Sequence, residues 1–495
     1  MSPPADAPRA TSSVELTTEQ IGPLVDDAVV WANQHGLLVA LKDPKFVNPE
    51  YAVIHAPLSL TPVPFPRERF ELAQKVQPLF NSLVDAVAAD EPYLEAVLRP
   101  AAQHDEFTAR LLRVLSDTRG ARAALRAAGS EVALGIHRSD YMLDAPSGKF
   151  LQVELNTIAS SFGCLSALTT RLHGYLGLRM EGLDASSLPP NPSLEALPDA
   201  LAAAAAASGH MGPGRGGVVV MVVQPGERNA YDQQWLQLQL WERHRLRTLR
   251  MTLADIARTA RLDPGTGSTA VLAGGQPVAC FYFRAGYTPN DYPSDAEWAG
   301  RELVERSNAA KCPTVAYQLA GTKKVQQDLA RPGSLERFVP DPRDAALLRE
   351  FFAGLWSLDP ADVAADVGGA AGAVRQALEH PEAFVLKPQR EGGGNNLYDE
   401  ELRQRLREGG EGLSAFILMQ RILPPTNQSV LVRNGQWQQS DTLSELGIYG
   451  TFVRHNDKVL VNQQAGHLVR TKTASSNEGG VAAGFAVLDS PFLVG

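Results

Sequence analysis

The chain has 495 residues, of which 44% are hydrophobic and 20% charged, with a formal net charge of -9. One core does not extend over such a length, so two or three structural units of roughly 150 residues each are expected. The acidic balance argues against a general nucleic-acid or anionic-membrane surface, so an anionic ligand must meet a local basic pocket. Three widely spaced cysteines, Cys164, Cys280 and Cys312, lack zinc-site spacing and suit a reducing compartment. No run of 18 apolar residues exists and Met1–Ser13 lacks the apolar centre of a secretory signal, so a cytoplasmic protein without a membrane span is expected.

Residues 17 to 135 are predicted mostly helical, from apolar positions such as Ile21, Leu24, Val25, Ala28 and Phe80, Leu83, Val84, Val87. From Phe150 to Asn156 the pattern turns to two-residue alternation, which predicts a strand with Gln152, Glu154 and Asn156 on one face. Gly212-Pro-Gly-Arg-Gly-Gly217 matches G-x-G-x-x-G, but it precedes the apolar strand Val218–Val223 instead of following a strand, so it is read as a linker. The strand at Val218, a helix at about 229–242 and the strand Val278–Phe283 then predict an inserted α/β unit over 218–313. Residues 314–495 return to mixed α and β.

The densest chemistry lies in Lys387-Pro-Gln-Arg-Glu-Gly-Gly-Gly-Asn-Asn-Leu-Tyr398. A cation, a carboxylate and three consecutive glycines suit one half of a clamp for ATP and magnesium. Without a Cβ, Gly392, Gly393 and Gly394 can turn successive N–H groups toward one anion, and Glu391 offers the oxygen that magnesium prefers. The alternative is a plain glycine loop beside a surface lysine. Glu154 and Asn156, two apart on one strand, can share a magnesium with Glu391, or simply form a polar strand edge. Lys323 follows Leu319-Ala-Gly-Thr322, which reads G-T-K-K where a Walker A loop requires G-K-[ST]; it is left as a point charge for phosphate or as a solvated lysine. Arg470-Thr-Lys472, followed by Gly479-Gly-Val-Ala-Ala-Gly484, couples cations to a small-residue loop that is either a cover for substrate or a loose tail. Arg138, Arg284, Tyr287 and Glu227-Arg-Asn229 fall at predicted strand ends and loops, where each alone suits the surface equally well. No nucleophile signature and no His ligand spacing occurs, which leaves positioning and charge neutralisation of a phosphoryl transfer.

Together these clusters resemble the eukaryotic-type glutathione synthetases over nearly the full length. The likeness is carried by Arg138-Ser-Asp-Tyr-Met142, Glu154-Leu-Asn-Thr157 with Ser161-Phe-Gly163, Glu227-Arg-Asn229, Phe283-Arg-Ala-Gly-Tyr287, Ala309-Ala-Lys-Cys-Pro313, Gln318-Leu-Ala-Gly-Thr-Lys-Lys-Val-Gln-Gln327, Lys387–Tyr398, Ser444-Glu-Leu-Gly447, Leu468–Lys472 and Gly479–Leu488. The resemblance implies an α/β fold of ATP-grasp type in that family's permuted arrangement. Residues 1–217 would hold the helical scaffold and the first part of the core, 218–313 an inserted substrate-binding domain, and 314–495 the rest of the core, with a lid at about 384–440 and a substrate loop at about 470–484. It implies a homodimer that joins γ-L-glutamyl-L-cysteine to glycine with ATP through an acyl phosphate, giving glutathione, ADP and phosphate.

By the same resemblance, Glu154, Asn156 and Glu391 are magnesium ligands, and Arg138, Arg470, Gly392 and Gly393 act at the reacting groups. Lys323, Lys387, Gly392–Gly394, Asn395, Asn396, Tyr398, Met419, Gln420, Arg421, Ile422, Glu445, Lys472 and Glu478 form the ATP site. Arg138, Ile158, Ala159, Ser160, Ser161, Glu227, Arg228, Asn229, Gln233, Arg284, Tyr287, Arg470, Val481 and Ala482 form the substrate site. Gln420 stands where animal members are expected to have Glu, Ala159-Ser-Ser161 rearranges the family's small residues, and Ala482 and Ala483 favour glycine over β-alanine as acceptor. A homoglutathione synthetase or another ATP-grasp ligase is the rival of the same class; an inactive nucleotide-binding scaffold is the rival outside it.

Overall fold

The computed structural model describes residues 16–41, 52–180, 183–211, 216–227, 229–389, 395–476, 480–481 and 484–495. Its strands run, in chain order, β1 (Leu58–Ser59), β2 (Val132–Asp144), β3 (Lys149–Asn156), β4 (Val218–Val222), β5 (Thr248–Met251), β6 (Val278–Phe283) and β7 (Ala310–Cys312). Next come β8 (Leu355–Ser357), β9 (Phe384–Pro388) and β10 (Phe416–Gln420), then β11 (Asn427–Arg433), β12 (Gln436–His455), β13 (Lys458–Thr473) and β14 (Ala486–Asp489). Short pairs of strands elsewhere add little.

Eleven strands form one mixed sheet in the order β11-β1-β14-β13-β12-β2-β7-β6-β4-β5, with β3 beside β2. The strands of 218–313 are its parallel end, where β7, β6, β4 and β5 follow one another. Their composition explains the burial: in Val218-Val-Val-Met-Val222 the even-numbered residues pack into one core and the odd-numbered into the other. A parallel strand covered on both faces is apolar throughout, not alternating. Helices Arg67–Ala89 and Glu106–Asp117 lie on one face and Gly163–Gly177, Ser193–Ala207 and Ala230–His244 on the other. The helical spacing read at Phe80, Leu83, Val84 and Val87 is a buried stripe of the first of these.

The second sheet is antiparallel, in the order β8-β10-β9. Phe384 and Leu386 of β9 pack with Ala377, Leu402 and Leu406 of its own helices, whereas Val385 packs with Leu151, Met419 and Ile422. Alternation thus gives this small sheet one face for its helices and one that meets β3. Among the described residues no helix is long and apolar enough to cross a membrane.

One local expectation changes. The alternation predicted for Phe150–Asn156 is interrupted at Val153, where the register steps from Asp140↔Glu154 to Tyr141↔Gln152. A bulge of this kind re-aims the strand beside a site, and here the Val153 carbonyl accepts a hydrogen bond from Lys387 Nζ at 2.9 Å.

At the end of β14, Asp489 is buried and accepts from Thr471 Oγ1 at 2.6 Å and from the Ser490 N–H at 2.7 Å. Burial pushes its carboxyl up to about 7 despite these donors. The folded chain therefore keeps a proton that the unfolded chain releases near pH 4. The stability this contributes is complete below about pH 4 and is lost as pH rises through about 7. Asp489→Asn keeps the shape and removes the titration. In urea unfolding it should match the wild type near pH 4 and be more stable at pH 8, by about 4 kcal/mol; parallel pH profiles for the two proteins would exclude this.

Candidate active site

The site forms where β2 changes partners. One edge of β2 runs along β12; the other pairs with β7 at Ala133 and with β3 from Arg138 to Asp144. A cleft opens beside Arg138 and Asn156 and extends under the small sheet, as clefts do where neighbouring strands diverge. Its volume, about 430 Å³, is in the range of small-molecule sites.

Asp140 lies beneath the cleft with no solvent exposure. Arg138 grips it through Nε at 2.6 Å and Nη2 at 2.7 Å, Arg470 Nη2 donates at 2.8 Å, and Asn156 Nδ2 donates at 2.9 Å. Arg470 also pairs with Glu445 across β12 and β13. The amide hydrogens of Asn156 are thus spent on Asp140 and on the Arg138 carbonyl, which leaves Oδ1 as its ligating atom. Next to it, Lys323 Nζ stands 3.8 Å from Glu154 Oε2. Burial alone would raise the Glu154 carboxyl, but Lys323, Lys387, Arg470 and Arg138 outweigh it and hold the group at about 2. An ionised carboxylate beside an amide oxygen is a donor set for a hard cation. Among the described residues no three His, Cys, Asp or Glu gather as a metal group.

A second polar cluster adjoins the cleft at Ser161. Arg284 Nη2 donates to Ser161 Oγ at 2.8 Å and to Asp232 Oδ2 at 3.0 Å. Glu227 accepts from the Asn229 N–H and from Gln233 Nε2, both at 2.7 Å. Arg284 Nε and Nη1, Asn229 Oδ1 and Gln233 Oε1 are buried with no partner among the described residues. Buried polar atoms are seldom left so, and their clustering suits a polar ligand with both donors and acceptors.

Of the residues singled out in the sequence, the cleft is lined by Arg138, Glu154, Asn156, Ile158, Ala159, Ser161, Tyr287, Lys323, Lys387, Asn395, Asn396, Tyr398, Met419, Gln420, Arg421, Ile422, Glu445, Arg470, Lys472 and Val481. Lys323 is buried, which removes the alternative of a solvated lysine. Ser160 does not line the cleft; its Oγ donates to the Ile136 carbonyl. Glu227, Asn229, Gln233 and Arg284 do not line the cleft and belong to the adjoining polar cluster. Arg228, Glu391, Gly392, Gly393, Gly394, Glu478 and Ala482 lie outside the described residues.

A family model described as "Eukaryotic glutathione synthase, ATP binding domain" matches residues 18–493. The chain is 45% identical to "Glutathione synthetase, chloroplastic" of Arabidopsis thaliana over 97% of its own length and 87% of that protein. It is 40% identical to "Glutathione synthetase" of Xenopus laevis over 96% of its own length and 97% of that protein. The chain belongs to the eukaryotic glutathione synthase family. A solved glutathione synthetase-like effector from Globodera pallida, in its apo form, has a TM-score of 0.76 at 22% identity and covers 97% of this chain and 99% of its own, a likeness of fold alone. The fold is accordingly α/β of ATP-grasp type, and the chain is an ATP-dependent ligase of the glutathione synthase family.

Within this glutathione synthase architecture, several site residues had no separate signal in the sequence. Phe107, Thr108 and Leu111 line the cleft from the helix Glu106–Asp117, which reads only as scaffold. Asp140 did carry a signal: its two-residue spacing from Arg138 puts both on one face of a strand. Removing the carboxylate that neutralises two buried guanidinium groups is the costly way to break such a cluster. Asp140→Ala should lower stability by roughly 3–5 kcal/mol in denaturant unfolding; a loss under about 1 kcal/mol would show that water or Glu445 compensates the arginines.

Proposed function

We propose that this ligase joins γ-L-glutamyl-L-cysteine to glycine with ATP, and that its reacting centre is the floor between Glu154, Lys323, Lys387 and Arg470. The observation that carries the proposal is a cleft with a buried polar cluster at its side. The cleft is lined by cations under a glycine-flanked strand, which suits a nucleotide triphosphate. The cluster, reached through Ser161, holds buried donors and acceptors on Arg284, Asn229 and Gln233 that have no partner among the described residues, which suits the amino-acid head of a dipeptide.

In this proposal Met419, Ile422, Val385 and Met142 hold the nucleobase in the apolar slot between β3 and the small sheet. Lys323 and Lys387 neutralise phosphate charge as it moves, and being buried they do so where water screens little. Arg138 and Arg470, already oriented by Asp140, hold the dipeptide carboxylate against the γ-phosphorus. The carboxylate oxygen forms the bond to phosphorus as the bond to ADP breaks. The glycine amine then attacks the acyl carbon, phosphate leaves, and the amine proton passes to solvent or phosphate. Glu154 and Asn156 are the described residues that would hold Mg2+, with Glu391 as a third ligand, and the ion would supply charge neutralisation to the phosphate oxygens. By the family resemblance, Val481 and the alanines that follow it in sequence are assigned to cover the acceptor, and the segment about 384–440 to serve as the lid.

A homodimer, by family resemblance, and a cytoplasmic location, from the widely spaced cysteines, complete the proposal. Since the Arabidopsis relative is named chloroplastic, a fluorescent fusion in the source cell decides the location, and sedimentation decides the dimer.

Purified protein should release ADP, and form glutathione in equal amount, only with ATP, Mg2+, γ-glutamylcysteine and glycine all present. ADP at the same rate without the dipeptide would remove the ligase assignment; product with β-alanine as good as with glycine would move it to the homoglutathione branch.

A further inference from the structure

β3 is an edge strand. Its inner side pairs with β2, and no strand of the sheet covers its outer side at Leu155, the residue between Glu154 and Asn156. The side chain of Gln326 covers it instead. Gln326 Oε1 accepts from the Leu155 N–H at 3.2 Å, and Nε2 donates to the Leu155 carbonyl at 3.3 Å and to the Gly321 carbonyl at 2.9 Å. The amide thus presents to one backbone residue the acceptor and donor that a neighbouring strand would present. Only this orientation works, since the flipped amide would face two carbonyls with its oxygen and an N–H with its NH2.

The third bond ties this contact to the phosphate lysine. Gly321 lies two residues before Lys323, at the junction of helices Val315–Ala320 and Lys323–Ala330. It is packed so closely on β3 that a Cβ there would stand 2.2 Å from Thr157 Oγ1. One side chain therefore joins the backbone between the two proposed metal donors to the backbone that leads into Lys323. The Lys323 to Glu154 separation, 3.8 Å, is spanned on both sides by Gln326.

We propose that Gln326 is a positioning residue for the metal and phosphate centre, fixing Glu154 and Asn156 against Lys323. The inference rests on Glu154 and Asn156 being the Mg2+ donors. It touches no substrate and acts through the geometry of β3.

Gln326→Met keeps the length of the side chain and removes all three bonds. Binding of a non-hydrolysable ATP analogue to the full-length protein is measured by calorimetry with and without Mg2+. The affinity without metal should equal that of the wild type, while the gain on adding Mg2+ should fall about tenfold, the scale on which partners of metal ligands act. The half-saturating Mg2+ for turnover should rise by a similar factor with KM for the dipeptide unchanged. A wild-type gain with Mg2+ in the variant overturns the proposal, as does an equal loss of affinity with and without metal, which marks a merely structural role. Should Gln326→Met not fold, Gln326→Glu, which keeps the acceptor for Leu155 and loses both donors, decides in the same terms. If the wild type itself gains nothing from Mg2+, it is the assignment of Glu154 and Asn156 that falls, a result distinct from either outcome for Gln326.

Discussion

The site depends on one buried carboxylate. Asp140 has no contact with solvent, and it carries Arg138 on two nitrogens, Arg470 on a third and the amide of Asn156. Taking a carboxylate out of water is costly, and the cost is met only where several donors surround it. Those donors come from three strands: Arg138 from β2 itself, Asn156 from β3 and Arg470 from β13, with β12 between β2 and β13 supplying Glu445. The arginines are therefore aligned before any substrate arrives, and the alignment is a property of the sheet.

The same arrangement resolves the conflict between a net charge of -9 and an anionic ligand. Four cations, Lys323, Lys387, Arg138 and Arg470, surround Glu154 closely enough to hold it ionised far below the usual carboxylate range. Asp140 and Glu445 offset the arginines from below and from the side and Glu154 faces the two lysines, so four cations stand against three carboxylates and the cluster stays positive. Charge elsewhere on the surface is screened within about 8–10 Å of water. The pocket keeps its own sign.

Much of this was legible from local pattern. The apolar run at Val218, the stripe at Phe80 and the lysine at the mouth of β9 each follow from periodicity over a few residues. What was not legible is pairing at long range. Periodicity marks β4 and β6 as strands but does not say that they extend the sheet of β2 through β7, because the partners are far away in sequence. The bulge at Val153 is invisible for the same reason: the carbonyl at the step in register is bonded by Lys387, far along the chain. Phe107 and Leu111 read as the buried stripe of a helix, and the pattern cannot distinguish a stripe that ends in core from one that ends in a cleft. Asp140 stands within Arg138–Met142, and alternation alone sets it beside Arg138.

The helix Lys323–Ala330 shows how the two sheets are linked through adjacent residues. Lys323 turns to Glu154 of the central sheet. Lys324, buried so that its ammonium is held below its usual range, donates through Nζ to Ser357 Oγ of β8 at 2.7 Å, and its N–H donates to Gln389 Oε1 at 3.1 Å. Gln389 directly follows β9 and precedes the glycine segment. The first turn of one short helix is thereby capped from the small sheet and charged toward the large one. Any displacement of the small sheet must either carry Lys323 with it or break a hydrogen bond to a buried amine, which is the more expensive course because the amine would be left without a partner. The position of the small sheet and that of Lys323 are thereby tied together through Lys324.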